Sequence, residues 1–165
     1  MKTTNYLAGL AAITMTFTGV AAPISAYADD SSSVSSTEYA LYGDFVYMTA
    51  ANKTAEIIGY NGTDENVVIP SEIYGLTVTA LTGWAGKPTS FHPIGAKKGP
   101  FENNKYIKSV VIPDTVKYID DESFYGCTAL ESVTFGNGVE EIGDYAFENC
   151  TSLSKVYIPV SVKKI

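Results

Sequence analysis

Cys127 and Cys150 are the side chains of this 165-residue sequence that most invite a chemical reading. Asp144, Glu148 and Ser152 surround the second of them, so that a thiol, two carboxylates and a hydroxyl share one short stretch. A nucleophilic Cys or Ser needs a base within hydrogen-bond reach. The one histidine, His92, is distant in the chain, and no serine sits in a G-x-S-x-G elbow. Two cysteines and one remote histidine are too few to hold a metal. Carboxylates gather at Asp120, Asp121 and Glu122 and again at Glu140 and Glu141. They have the residue types for glycosidic acid–base chemistry, but they are read as a recurring, solvated outer face. No catalytic residue, metal site or cofactor is assigned. Three N-x-T triplets, at Asn52, Asn61 and Asn149, fit a glycosylation sequon.

The elements that would position these groups emerge when the chain is aligned with itself. Phe124, Cys127, Leu130, Val133, Phe135, Val139 and Ile142 fall on Phe147, Cys150, Leu153, Val156, Ile158, Val162 and Ile165 at a shift of 23 residues. The same step backwards gives Phe101, Asn104, Ile107, Val110, Ile112, Val116 and Ile119. L-x-x-V-x-F places alternate residues of a short strand inward. The V-x-x-I that follows suits an irregular return arc, and "DESF" and "DYAF" suit a single helical or 3₁₀ turn. One such unit buries too little to offset the entropy of ordering it, so stacked copies are required and the fold class is a mainly β solenoid. Cys127 and Cys150 share a column with Asn104, which marks an interior corner where a small polar group meets turn backbone. A disulfide between stacked rungs is the alternative, at a suitable separation but with parallel Cβ vectors.

A degenerate earlier copy, "VVIPSEIYGLTVTAL", aligns Ile69, Val78 and Leu81 with Ile112, Val116 and Ile119 and carries five extra residues at or near "IYGLT". An insertion at 82–100 then holds Trp84, Phe91 and His92. Ahead of the repeats, "YGDFVYMTA" and "TAEIIGYNG", separated by "ANK", predict a β-hairpin, with a turn signal at its far end at Asn61-Gly62. The organisation expected is a signal peptide at 1–28, a Ser-rich leader at 29–38, a β-hairpin cap at 39–66 and a solenoid at 67–165 with a truncated last repeat. The first segment rests on Lys2, an apolar run and the Ala26-Tyr27-Ala28 cleavage pattern; four threonines and Pro23 weigh against a membrane span there.

The formal net charge is −7, and every basic residue is lysine. Nucleic acid and anionic membrane surfaces both need clustered positive charge, so neither is expected as a partner. Two cysteines cannot staple a miniature domain, so an apolar core must hold the fold.

The segments "IPDTVKYIDDESFYGCTALESV" and "EEIGDYAFENCTSLSKVYIP" resemble the BspA-type leucine-rich repeat family of bacterial surface proteins, whose unit reads IP..V..IG..AF..C..L..V. The resemblance covers about 39–165. It implies a solenoid with one short parallel strand per 23-residue repeat, export to the cell surface or medium, and adhesion or macromolecular recognition rather than catalysis. The alternative is a non-binding structural segment of a longer exported protein, an enzyme among the candidates. The ligand expected is a protein or glycan. Two surfaces are candidates. The concave strand face would present Val111, Thr134 and Tyr157, with Ser132 and Lys155 beside them. The insertion would present Trp84, Phe91 and His92, unless Trp84 folds back to plug the core. An uncovered last strand would also favour self-association through the C-terminal edge.

Overall fold

The computed structural model describes residues 39–50, 52–83 and 99–165. The signal-peptide and leader assignments and the insertion residues Trp84, Phe91 and His92 lie outside the described residues.

Strands β1 (Tyr39–Tyr42), β2 (Phe45–Thr49) and β3 (Thr54–Tyr60) form an antiparallel meander. The expected hairpin is the β2–β3 pair. Tyr42-Gly43-Asp44, expected within its first strand, is instead the end of β1 and a tight turn, with Gly43 at φ 59°. The turn expected at Asn61-Gly62 is also absent; Asn61 N–H donates to Asp44 O and the chain runs on.

Two sheets grow from this start. In the first, β3 pairs in parallel with β6 (Leu76–Leu81), then β8 (Tyr118–Ile119), then β10 (Glu141–Ile142), while β5 (Glu72–Ile73) pairs antiparallel to β6. The second contains β4 (Asn66–Val68), β7 (Ser109–Val111) and β9 (Ser132–Thr134), all parallel. The meander is therefore hydrogen-bonded into the solenoid's larger sheet.

The aligned columns become rows of this stack. Val67, Val110 and Val133 are paired in register and buried. Leu81, Ile119 and Ile142 form a second buried row, which confirms the degenerate copy. Its five extra residues are accounted for by the β5–β6 hairpin, because Asn66 to Ser109 spans 43 positions while Leu81 to Ile119 spans 38. Phe101 and Phe124 stack at 4.7 Å and Phe124 and Phe147 at 5.1 Å, with nearly parallel rings in both cases. Tyr60 continues this aromatic spine into the meander, 5.4 Å from Phe101.

Three features depart from the repeat pattern. The return arc is more regular than expected, since it contributes the two-residue strands β8 and β10. "DESF" and "DYAF" form hydrogen-bonded turns rather than helix, with Glu122 and Tyr145 at positive φ. A second left-handed column follows at Asn103, Gly126 and Asn149, residue types suited to that conformation. Finally, the third copy forms no strand at 155–157. Val156 is only half-buried and Ile158, expected inward, is 45% exposed.

Both cysteines are buried, and no disulfide joins them. Cys127 Sγ–H donates to Phe101 O at 3.0 Å and Cys150 Sγ–H to Phe124 O at 3.1 Å, each on the preceding rung. Asn104 fills the same role at the first rung, donating from Nδ2 to Gly62 O while its Oδ1 accepts from Tyr106 and Ile107 N–H. The Cys127 thiol lowers the Cys150 pKa against the opposing effect of burial. The thiols serve as corner donors.

Candidate binding face

The second sheet turns one residue of each strand inward and leaves its neighbours outside, as a two-residue period requires. Its outer positions are Asn66, Ser109 and Ser132 in one row and Val68, Val111 and Thr134 in the next, in direct register. Val68 is 67% exposed and Val111 40%, so a β-branched strip faces solvent beside a hydroxyl and amide strip. Ser109 Oγ–H donates to Asn66 Oδ1 at 2.6 Å, which ties the first two strands on the polar side.

The rows contain no ionised side chain. Charge begins one residue further out, where Lys108 meets Glu65 at 2.9 Å. The hydrogen bond and charge of Glu65 raise the Lys108 pKa. Beyond β9 the rows are extended by Lys155 and Tyr157, which the structure places on irregular chain rather than on a strand. Lys155 Nζ stands 4.8 Å from the centre of the Tyr157 ring, a cation–π contact. Tyr157 is 72% exposed.

Val111, Ser132 and Thr134 thus share one sheet face, with Lys155 and Tyr157 beyond its last strand. Asn66 and Val68 were not among the expected candidates. Their signal was present in the degenerate copy, since "NVV" aligns with "SVV" once the five extra residues are placed after it.

The carboxylates behave differently from expectation. Asp121 and Asp144 do recur at 23 residues, and Asp121 Oδ1 accepts from Asp144 N–H at 2.7 Å. Glu140 instead belongs to a column with Lys117 and Lys163, its carboxylate 3.4 Å from the first and 2.6 Å from the second. These acids brace successive rungs, Glu140 beside the larger sheet and Asp121 at the turn that follows β8. Among the described residues no three His, Cys, Asp or Glu side chains are grouped to hold a metal ion. No helix among them is long and apolar enough to cross a membrane.

Residues 96–165 match the model of the BspA type Leucine rich repeat region (6 copies). Among solved structures, the leucine-rich-repeat protein TpLRR of T. pallidum is 27% identical with a TM-score of 0.62, over 74% of this chain and 51% of that one. A leucine rich cell surface protein of Faecalibacterium prausnitzii is 30% identical, TM-score 0.60, over 77% of this chain and 32% of its own. A leucine-rich repeat protein of Bacteroides capillosus shares the fold at 22% identity, TM-score 0.64, over 77% and 87% of the two chains. The chain spans about half the length of the first of these and about a third of the second. No curated protein matches it. Residues 96–165 thus resemble the BspA type of leucine-rich repeat, and the solved neighbours are bacterial leucine-rich-repeat proteins.

Proposed function

We propose that this chain is a surface-presented recognition module, binding a macromolecule through the outer face of its three-stranded sheet rather than catalysing a reaction. The observation that carries this reading is the uncharged, exposed strip of Val68, Val111 and Thr134, continued by Lys155 and Tyr157, on a chain whose other sheet is flanked by the Lys117–Glu140–Lys163 ion-pair column. An exposed aromatic with a lysine ammonium over its ring, at one end of an apolar strip, has the composition of a contact patch. The printed description of the F. prausnitzii neighbour as a cell surface protein supports presentation outside the cell.

The test is surface plasmon resonance of the full chain against purified extracellular-matrix proteins and glycans. A Val111→Asp/Tyr157→Ala double variant should weaken any captured ligand at least tenfold while leaving the thermal midpoint unchanged, since both side chains point outward. Undiminished binding by the double variant would overturn the face assignment and leave the sheet a structural element.

A further inference from the structure

The five residues that distinguish the first solenoid copy make a feature of their own. Ile73 pairs with Leu76, so Tyr74-Gly75 is a two-residue hairpin tip, and both residues have positive φ, 48° and 82°. These signs at both positions define a type I′ turn, which favours Asn or Gly at the site Tyr74 occupies. Left-handed backbone is costly for a bulky residue, and Tyr74 shares it with Glu122 and Tyr145 of the repeat turns. Tyr74 gains no burial from it, being 55% exposed. Its ring instead meets Tyr42 edge to face, with centroids 5.4 Å apart, at the end of β1.

Tyr42 in turn walls a recess of about 200 Å³ that opens beside β4. Asp44, Asp64 and Asn66 line it, with Tyr60, Phe45 and Val67 beneath. Tyr60 O–H donates to Asp64 Oδ2 at 3.3 Å. Burial first, then the charges of Asp64 and Asp44, push the Tyr60 hydroxyl up to about 12, so both carboxylates face the same floor hydroxyl. Asn66 and Val68 belong both to this recess and to the binding face.

We infer that this recess is a subsite for the ring of a neutral saccharide, stacked on Tyr42 with Tyr74 bracing the platform. An exposed tyrosine offers a flat apolar surface to the C–H face of a sugar, while carboxylates and an amide at the rim accept and donate to its hydroxyls. The same two carboxylates, on a chain of net charge −7, repel uronic or sialic acids. This deepens the recognition reading and rests on it: a glycan held here would continue from Asn66 and Val68 along the outer rows.

The experiment is saturation-transfer NMR and calorimetry of the full chain with cello-, malto-, laminari- and chito-hexaose, and with polygalacturonate as the acidic counterpart. At least one neutral series should bind and polygalacturonate should not. Tyr42→Ala should raise the dissociation constant tenfold or more. Tyr74→Gly, which suits the turn and cannot strain it, should raise it about threefold without lowering the thermal midpoint. Tyr106→Ala and Tyr145→Ala, exposed tyrosines elsewhere, should change nothing. Failure of every neutral series to bind, equal binding of polygalacturonate, or indifference to both Tyr42→Ala and Tyr74→Gly would overturn the subsite. The Val111→Asp/Tyr157→Ala variant separates the two readings. If it alone abolishes oligosaccharide binding, the face stands and the subsite falls; if no variant matters, both fall.

Discussion

Along the outer surface of the larger sheet the register reads Glu56, Ala80, Tyr118, Glu141 and Lys164, and beside it Lys117, Glu140 and Lys163. Along the outer surface of the three-stranded sheet it reads Val68, Val111 and Thr134. The two sheets close on a single core and obey the same alternation, yet one is flanked by a Lys117–Glu140–Lys163 charge column and the other leaves its Val68–Val111–Thr134 row to solvent. A ladder of alternating charge is a self-sufficient surface. An exposed β-branched strip is not, and the recognition reading proposed above rests on that difference.

The most damaging change should strike what both sheets share. Phe124 is fully buried and stacked on both faces, by Phe101 and Phe147. Phe124→Ala should cost about 3–5 kcal/mol in denaturant unfolding, as a large core truncation. Phe147 lies on the same spine but is only half-buried, so Phe147→Ala should cost clearly less. Equal losses would mean that the core does not thin toward the third copy.

A smaller effect should be confined to one sheet. Glu140→Lys sets three lysines in one column of the larger sheet. It should lower stability at low salt, recover as salt screens the repulsion, and leave ligand binding by the other sheet untouched. The pH dependence has two limbs. The Lys163 hydrogen bond, then Lys117, holds the Glu140 carboxyl below its ordinary value. Its contribution is present above the ordinary carboxylate range and is lost as pH falls through the depressed value. Lys163 is raised by Glu140, so its contribution is present below the ordinary lysine pKa and is lost as pH rises through the raised one. Glu140→Gln should flatten both limbs in pH-dependent unfolding; an unchanged profile would mean the column is not coupled.

The contrast between the sheets was only half legible in the sequence. Seven apolar columns at a 23-residue step located the core and the inward residues of β7 and β9, because burial imposes a side-chain type that recurs. The strands β8 and β10 were invisible, since two residues are too short to display a two-residue period. They exist because backbone groups of the return arc find partners on the next rung, as in Glu140 N–H to Lys117 O at 2.9 Å. The lysine–glutamate column was missed for the opposite reason. It alternates in sign, so a search for likeness passes over it. Tyr74 was seen as part of an excess of five residues, but only register shows that the excess is a hairpin whose tip reaches β1. Ile158 followed the pattern in type and departed in burial, because a column states what a residue can pack against and not how deeply it packs.

The smallest effect tests the corner that both sheets turn on. Cys127 and Asn104 occupy one column and make the same contact, a side-chain donor to a carbonyl of the preceding rung. Cys127→Asn should therefore cost less than about 1 kcal/mol, one ordinary hydrogen bond being worth about 0.5–1.5. Cys127→Ala removes the donor, but Phe101 O keeps the N–H of Asn104 at 3.0 Å, so the loss should also be modest. The informative quantity is the order. If the column is defined by donation across the rung, asparagine is the milder substitution; if it is defined by the volume of a fully buried site, asparagine overfills it and alanine is milder. In either case the strands that follow the corner keep their register, and ligand binding at Val111 and Thr134 should not change.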